Sequence, residues 1–291
     1  MRRVMQGRWM LAVAMSVGLG GLGSAAAEEM QGALQIKGSD TMVNLCQAWA
    51  EAFMARHPRM TVAVTGGGSG SGIAALISGT CDLAAASRAM SDKEISLARA
   101  QGHAPQERKV ALDGIAVVVH PTNPVRQLTI EQLAKLFNGT IRNWKEVGGA
   151  NANVILLSRE VNSGTHVYFK EHVLSSLKAS GGLTEFAPEA LLLPSSQAIA
   201  DEVASNPAAI GYYGMGYLNP KNTAVAIANA TAGPYVIPTE ETVRSGAYPI
   251  SRPLLFYSGE TPQGAVKAFL DFVMSPEGQQ IVRTIDFVPV Q

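Results

Sequence analysis

The sequence predicts an α/β protein of two units joined by a pair of extended crossings, with a ligand cleft between the units. Three observations carry this expectation. Beyond residue 30, strand-type alternation and helical periodicity follow one another along the chain, the pattern of a sheet with helices on both faces. The alternation restarts after a strongly β-branched run, so a second unit of the same kind is being built. Two extended runs, residues 113–119 and 249–257, stand where the first unit yields to the second and where the second returns. As antiparallel neighbours they would form a two-strand hinge that permits closure around a ligand. The expected first domain is 28–114 plus 247–291, and the second is 115–246.

The elements follow in order. ALQIKG (33–38) alternates as a strand, residues 41–55 place Leu45, Trp49 and Phe53 at helical spacing, and MTVAVTG (60–66) is a second strand. Residues 72–77 suit a short helix, CDLAAAS (81–87) a buried strand, and residues 92–101 a helix opened by Ser91 as N-cap. GIAVVVHPTNP (114–124) is a strand ended by prolines, and the helix that follows starts at Thr129 and stops at Gly139. NVILLSRE (153–160) predicts a strand, THVYFKEHVL (165–174) a helix, SSQAIADEVASNP (195–207) a capped helix and AAIGYYGMGYL (208–218) a strand with its turn. AYPISRPLLFY (247–257) is extended, and residues 264–282 close the chain as helix.

An apolar fraction of 47% excludes a mostly disordered chain. The N-terminus carries Arg2, Arg3 and Arg8, a short glycine-broken apolar segment and Ala25-Ala26-Ala27, which together predict a secretory signal peptide over residues 1–27. No other window approaches the roughly 18–20 apolar residues of a spanning helix, so a freely soluble, periplasmic protein is expected. Lys and Arg number 23 and Asp and Glu 23. Loss of three arginines with the signal leaves a slightly acidic chain, with no basic field for nucleic acid. Cys46 and Cys81 could pair in an oxidising compartment or stay separate thiols, and their spacing does not choose. Trp49 and Trp144, one in each expected domain, suggest that closure would register in fluorescence.

Three places put Ser, Thr or Gly between a strand and a helix: GSDTM (38–42), GSGSG (68–72) and SREVNSGTH (158–166). A helix N-terminus presents free N–H groups and a positive dipole end, so each is a candidate anion site. Singly, each has an ordinary reading as a cap: Ser39 or Asp40, Ser69 or Ser71, and Thr165. Arg88 and Arg159 accompany two of these places at strand ends, where ligands collect in open α/β sheets. Glu160 is an adjacent partner that could fix Arg159 for two-pronged recognition of an oxyanion.

Enzyme readings fare worse on the same residues. No lysine follows the glycines as a P-loop requires, and Gly67 and Ser71 flank Ser69 in a pattern that is not G-x-S-x-G. The five histidines include no pair with metal-ligand spacing such as H-E-x-x-H. His166, near Ser163, could serve as a base but reads as a solvated polar residue.

The motifs GSDTM, GGGSGSG, AAASRAM, DGIAVVVHPTNP, LTIEQLAKLFNGTIRNWKEVGG, SREVNSGTHVYF, AAIGYYGMGYL and DFVMSPEGQQ stand in an order that resembles the phosphate-binding proteins of bacterial ABC importers. The resemblance covers essentially all of the chain beyond the signal. It implies a type 2 periplasmic binding-protein fold, with inorganic phosphate held between the domains, delivery to an inner-membrane permease and its ATPase, a monomer, no cofactor and no chemical turnover. By motif, the first ligand loop corresponds to Ser39 and Thr41 and the second to Ser69. The Arg-x-x-x-Ser-Gly-Thr element is complete as Arg159, Ser163, Gly164 and Thr165. One departure matters: after Ser87, where some members carry an aspartate that accepts the phosphate proton, this chain has Arg88, as in one branch of the family. Phosphate keeps a proton at neutral pH and sulfate does not, so a carboxylate acceptor discriminates between them. Asp113 and Asp40 are the candidates for it. The rival readings are a receptor for sulfate, molybdate or tungstate, an envelope phosphatase or esterase using Ser69 or Ser163, and a sensory or adhesive protein on the same fold.

Overall fold

The computed structural model describes residues 30–291, and the expected signal peptide lies outside the described residues. The chain begins with β1 (Gly32–Gly38), a 3-10 turn at Asp40–Met42, α1 (Val43–Arg56), β2 (Met60–Thr65), α2 (Ser69–Ile77), β3 (Leu83–Ala86), α3 (Asp92–Ala100) and the long β4 (Gln106–Val119). It continues through β5 (Gln127–Thr129), α4 (Ile130–Phe137), β6 (Ile155–Arg159), α5 (Gly164–His172), β7 (Leu191–Leu193), α6 (Ser196–Ser205) and β8 (Ala209–Gly214). The last elements are β9 (Thr223–Ala224), β10 (Ala226–Ala228), α7 (Glu240–Arg244), β11 (Ser251–Ser258), α8 (Gly264–Val273) and α9 (Pro276–Thr284).

One sheet runs through the molecule in the order β2-β1-β3-β11-β4-β8-β6-β7. Its two ends are parallel, β1 pairing with β2 and β3, and β6 with β7 and β8. The middle is antiparallel, and β4 is the strand that joins the ends. Its residues up to Gly114 pair with β11, and from Ile115 onward they pair with β8. This change of partner divides the molecule into two lobes. The expected neighbourhood of the two extended runs is present, with Ser251 opposite Gly114 and Arg252 opposite Asp113. β4 begins eight residues before the apolar run that predicts it, because Gln106 to Lys109 are polar and are held in the strand by the ladder to β11 rather than by burial.

Each lobe buries both faces of its strands. On one face of β4, Ala116 and Val118 pack with Ile199, Ala200 and Val203 of α6, while Val117 and Val119 face the core that holds Leu133 and Phe137 of α4. In the other lobe, Leu34 and Ile36 meet Leu45 and Trp49, and Ala84 and Ala86 meet Ile73 and Leu76. Strands covered on both sides become continuous small or branched apolar runs, which is why LAAA and IAVVV lack alternation.

Several local expectations are met: Ser91 caps α3 in a capping box with Glu94, Thr129 caps α4 likewise, and Ser195 caps α6. The closing helical run breaks at Met274, and Ser275 with Pro276 restarts it as α9. Cys46 and Cys81 are free thiols. Trp49 donates to the Gly278 carbonyl and Trp144 to that of Ala208. Each indole is hydrogen-bonded within its own lobe. No described helix is long and apolar enough to cross a membrane.

Candidate anion-binding site

The loop after β1, the N-terminus of α2, the end of β3 and the N-terminus of α5 converge on one buried cluster of hydroxyls. Ser39 donates to Ser87 Oγ at 3.0 Å, and Ser69 Oγ lies 3.3 Å from the same atom. The Ser87 amide donates to Ser69 Oγ, so the Ser69 hydroxyl faces β3 instead of capping α2. Thr41 and Thr165 hydroxyls meet at 2.8 Å across the gap between lobes. Ser39, Thr41, Ser69, Ser87 and Thr165 are all buried, in keeping with the rule that buried polar groups find partners.

Arg252 organises this cluster and was not among the residues expected from the sequence. Its Nε and Nη2 donate to Asp113 Oδ2 at 2.9 and 2.8 Å, Nη1 donates to the Ser87 carbonyl, and Nη2 also reaches Thr165 Oγ1 at 3.0 Å and Thr41 Oγ1 at 3.4 Å. Asp113 Oδ1 accepts from the Met215 amide. Both side chains of the pair are fully buried. Burial pushes the Asp113 carboxyl upward, and Arg252 with the Met215 amide opposes that rise. Tyr168 places its ring 5.8 Å from the Arg252 guanidinium and donates its hydroxyl to the Ser251 carbonyl, fixing the strand that carries Arg252. A signal for Arg252 existed: an arginine inside the apolar run SRPLLFY, on the strand expected to oppose Asp113. Register, which sequence spacing leaves open, decided the pairing.

Glycine is required where backbone enters the cluster. A Cβ on Gly164 would fall 2.3 Å from Ser69 Oγ and 2.6 Å from Ser87 Oγ, so the first residue of α5 must be bare for the lobes to meet. Gly68 has φ +95° and lies against the Asn162 carbonyl, where any side chain would be strained. Asn162 clasps this loop, accepting from the Gly70 amide at 3.0 Å and donating to the Gly67 carbonyl at 2.8 Å.

The other expected residues stand elsewhere. Arg88 turns away from the cluster and forms a two-pronged pair with Glu94, at 2.8 and 2.7 Å. That hydrogen bond raises the Arg88 pKa against the effect of its burial. Arg159 has Asp40, not Glu160, as its acidic partner, at 3.1 Å, and donates to Ser196 Oγ and to the carbonyls of Leu193 and Pro194. Burial lowers its pKa, and Asp40 opposes the shift. Asp40 sits beside Ser39 and Thr41 but directs its carboxylate to Arg159 and the Ser196 amide. Ser163, rather than Thr165, caps α5, accepting from the amides of Thr165 and His166.

His166 is buried rather than solvated. It bonds to Ser158 Oγ at 3.2 Å and stacks on Phe186, and burial lowers its pKa. Among the described residues no histidine hydrogen-bonds to Ser69 or Ser163; Ser69 Oγ accepts from the Ser87 amide and Ser163 Oγ from the amides of Thr165 and His166. No group of three or more His, Cys, Asp or Glu side chains among the described residues could hold a metal ion.

Two open α/β lobes crossed by antiparallel strands, with a polar cluster between them, define a two-domain binding protein of the periplasmic type. A family model described as the PBP superfamily domain matches residues 23–277. The chain is 31% identical over 281 residues to phosphate-binding protein PstS of Pseudomonas aeruginosa, covering 91% of this chain and 85% of that protein. It is 32% identical over 265 residues to phosphate-binding protein PstS of Bacillus subtilis, covering 90% and 82%. A solved structure of a putative phosphate ABC transporter substrate-binding protein with bound phosphate, from Clostridium perfringens, superposes with a TM-score of 0.79 at 32% identity, over 89% of this chain and 100% of that one. The chain belongs to the phosphate-binding protein (PstS) family of the PBP superfamily.

Proposed function

We propose that this chain is a periplasmic receptor that closes its two lobes, 28–114 plus 247–291 and 115–246, around inorganic phosphate. It then delivers the ion to an inner-membrane ABC permease and its ATPase, as a monomer and without a chemical step. The names of its relatives support the cargo, and one observation in this chain carries the chemistry: Arg252 and Asp113 are paired inside a ring of Ser39, Thr41, Ser69, Ser87 and Thr165. An ionised phosphate taken from water into a buried site is tolerated only where charge-assisted hydrogen bonds replace its hydration. Arg252, the hydroxyls and the N-terminus of α5 supply donors. Asp113 supplies what a sulfate site would lack: an anionic acceptor, with Oδ1 carrying one amide bond, for the proton that phosphate retains. Ser163 and Gly164 serve by shaping the α5 N-terminus. Arg88, Arg159 and Asp40 support the surrounding structure.

Calorimetry on ligand-stripped protein tests this. Phosphate is expected to bind at about micromolar or better, about 8 kcal/mol. Sulfate and molybdate are expected to give no heat, and Asp113→Asn is expected to narrow the gap between phosphate and sulfate. No phosphate heat at tens of micromolar, or turnover of a phosphate ester that vanishes in Ser69→Ala, overturns the receptor reading.

A further inference from the structure

Asp40 lies between two cluster residues yet contributes nothing to the cluster. Its Oδ2 accepts from the Ser196 amide at 2.8 Å and from Arg159 Nη1 at 3.1 Å, and its carbonyl accepts from the Tyr217 hydroxyl at 2.9 Å. All three partners belong to the opposite lobe. Ser196 is the first residue of the ten-residue α6, so the carboxylate also occupies the positive end of that helix.

Arg159 is built to receive it. Its side chain is 1% exposed, and its donors to the Leu193 and Pro194 carbonyls and Ser196 Oγ all lie within its own lobe. The fork is therefore held in place by its own lobe before Asp40 arrives. Asp40, at 17% side-chain exposure, remains close enough to solvent to be rehydrated when the lobes part. A pair with one preorganised partner and one hydratable partner can open and close without stranding a buried charge. Asn162 makes a second, neutral interlobe clasp, to Gly67 and Gly70.

The geometry points to Asp40 as an interlobe latch: it positions the closed form through Arg159, Ser196 and Tyr217, and its rupture governs how fast the bound anion leaves. This rests on the reading of the cluster as a phosphate site closed by two lobes. A latch acts on closure alone, so it changes the affinity of every anion that fits by one factor. A residue touching the anion changes their ratio.

The test compares wild type with Asp40→Asn and Tyr217→Phe, each checked for folding by circular dichroism and unfolding midpoint. Phosphate and arsenate are the probes, with affinities from calorimetry and association and dissociation rates from stopped flow. Asp40→Asn is expected to raise the dissociation rate and Kd about tenfold for both anions, with association little changed and the phosphate-to-arsenate ratio preserved. Tyr217→Phe keeps the ion pair, removes only the hydroxyl donor, and is expected to speed release several-fold with the same preserved ratio. Wild-type dissociation rates in both variants, or a shifted ratio in Asp40→Asn, overturn the latch. Failure of the phosphate reading itself appears in the wild type, as no binding, before any variant is compared.

Discussion

Two arginine–aspartate pairs bridge this molecule, and they use the same chemistry for different ends. Arg252 and Asp113 face each other across adjacent strands, fully buried, and the guanidinium has donors left over for Thr41 and Thr165. Arg159 and Asp40 meet between the lobes, and the remaining donors of Arg159 go to two carbonyls and a serine hydroxyl of its own lobe. Both guanidinium groups have all three nitrogens engaged by protein, so what separates them is the kind of partner each one faces. Arg252 faces the hydroxyls of Thr41 and Thr165, whereas Arg159, which the family motif names, faces Asp40, two carbonyls and Ser196. The Arg88–Glu94 pair, clear of the cluster, makes the same point a third time.

Replacing Arg252 with Met should give the largest effect. It leaves Asp113 buried without its ionic partner, at a cost of about 3–5 kcal/mol in urea unfolding, and calorimetry should find no phosphate binding. Wild-type stability and affinity in this variant would break the comparison at once. Arg159→Met strips partners from the Leu193 and Pro194 carbonyls and from Ser196, but Asp40 can turn to water, so about 1–3 kcal/mol is expected. Phosphate should still be preferred over sulfate as in the wild type. Lost discrimination would place Arg159 in contact with the anion and erase the distinction between the pairs.

Acidification gives the smallest effect and probes the setting of the pairs, since neither arginine loses its proton as pH falls. Burial holds His166, between Ser158 and Phe186, below its ordinary value of 6.5, so folding favours its neutral form. The stability tied to that neutrality is complete above about pH 6.5 and is lost as pH falls through the folded-state value, because the unfolded chain then binds the proton more readily. Urea midpoints between pH 7.5 and pH 5 should drop less in His166→Gln than in the wild type. Parallel profiles would remove His166 as the source of acid sensitivity.

Much of the fold was legible because it is written in local periodicity and caps. Ser91, Thr129 and Ser195 announce α3, α4 and α6, and the runs LAAA and IAVVV announce strands covered on both faces. Local signals failed where tertiary bonds override them. α2 begins at Ser69 rather than residue 72, through glycines of poor helix propensity that Asn162 of the other lobe holds in place. His166 is polar by type, yet it is buried because Ser158 and Phe186 offer it partners.

By itself, then, the sequence determined an α/β chain with two extended crossings, three hydroxyl-rich turns before helices, and membership of a family of binding proteins. Its turns and strand ends, together with the family resemblance, also placed Ser39, Asp40, Thr41, Ser69, Ser87, Arg88, Asp113, Arg159, Ser163, Gly164 and Thr165 in one candidate set. Only the tertiary structure brings Arg252 against Thr41, Thr165 and the Ser87 carbonyl. Arg252 lies 139 residues from Asp113 along the chain, and the register of β11 on β4 alone sets them opposite one another. The direction of a charged side chain depends on which partners surround it after folding: Arg159 and Asp40 find each other between distant segments, and the Ser196 amide donates to Asp40, whereas Arg88 finds Glu94 six residues along the chain.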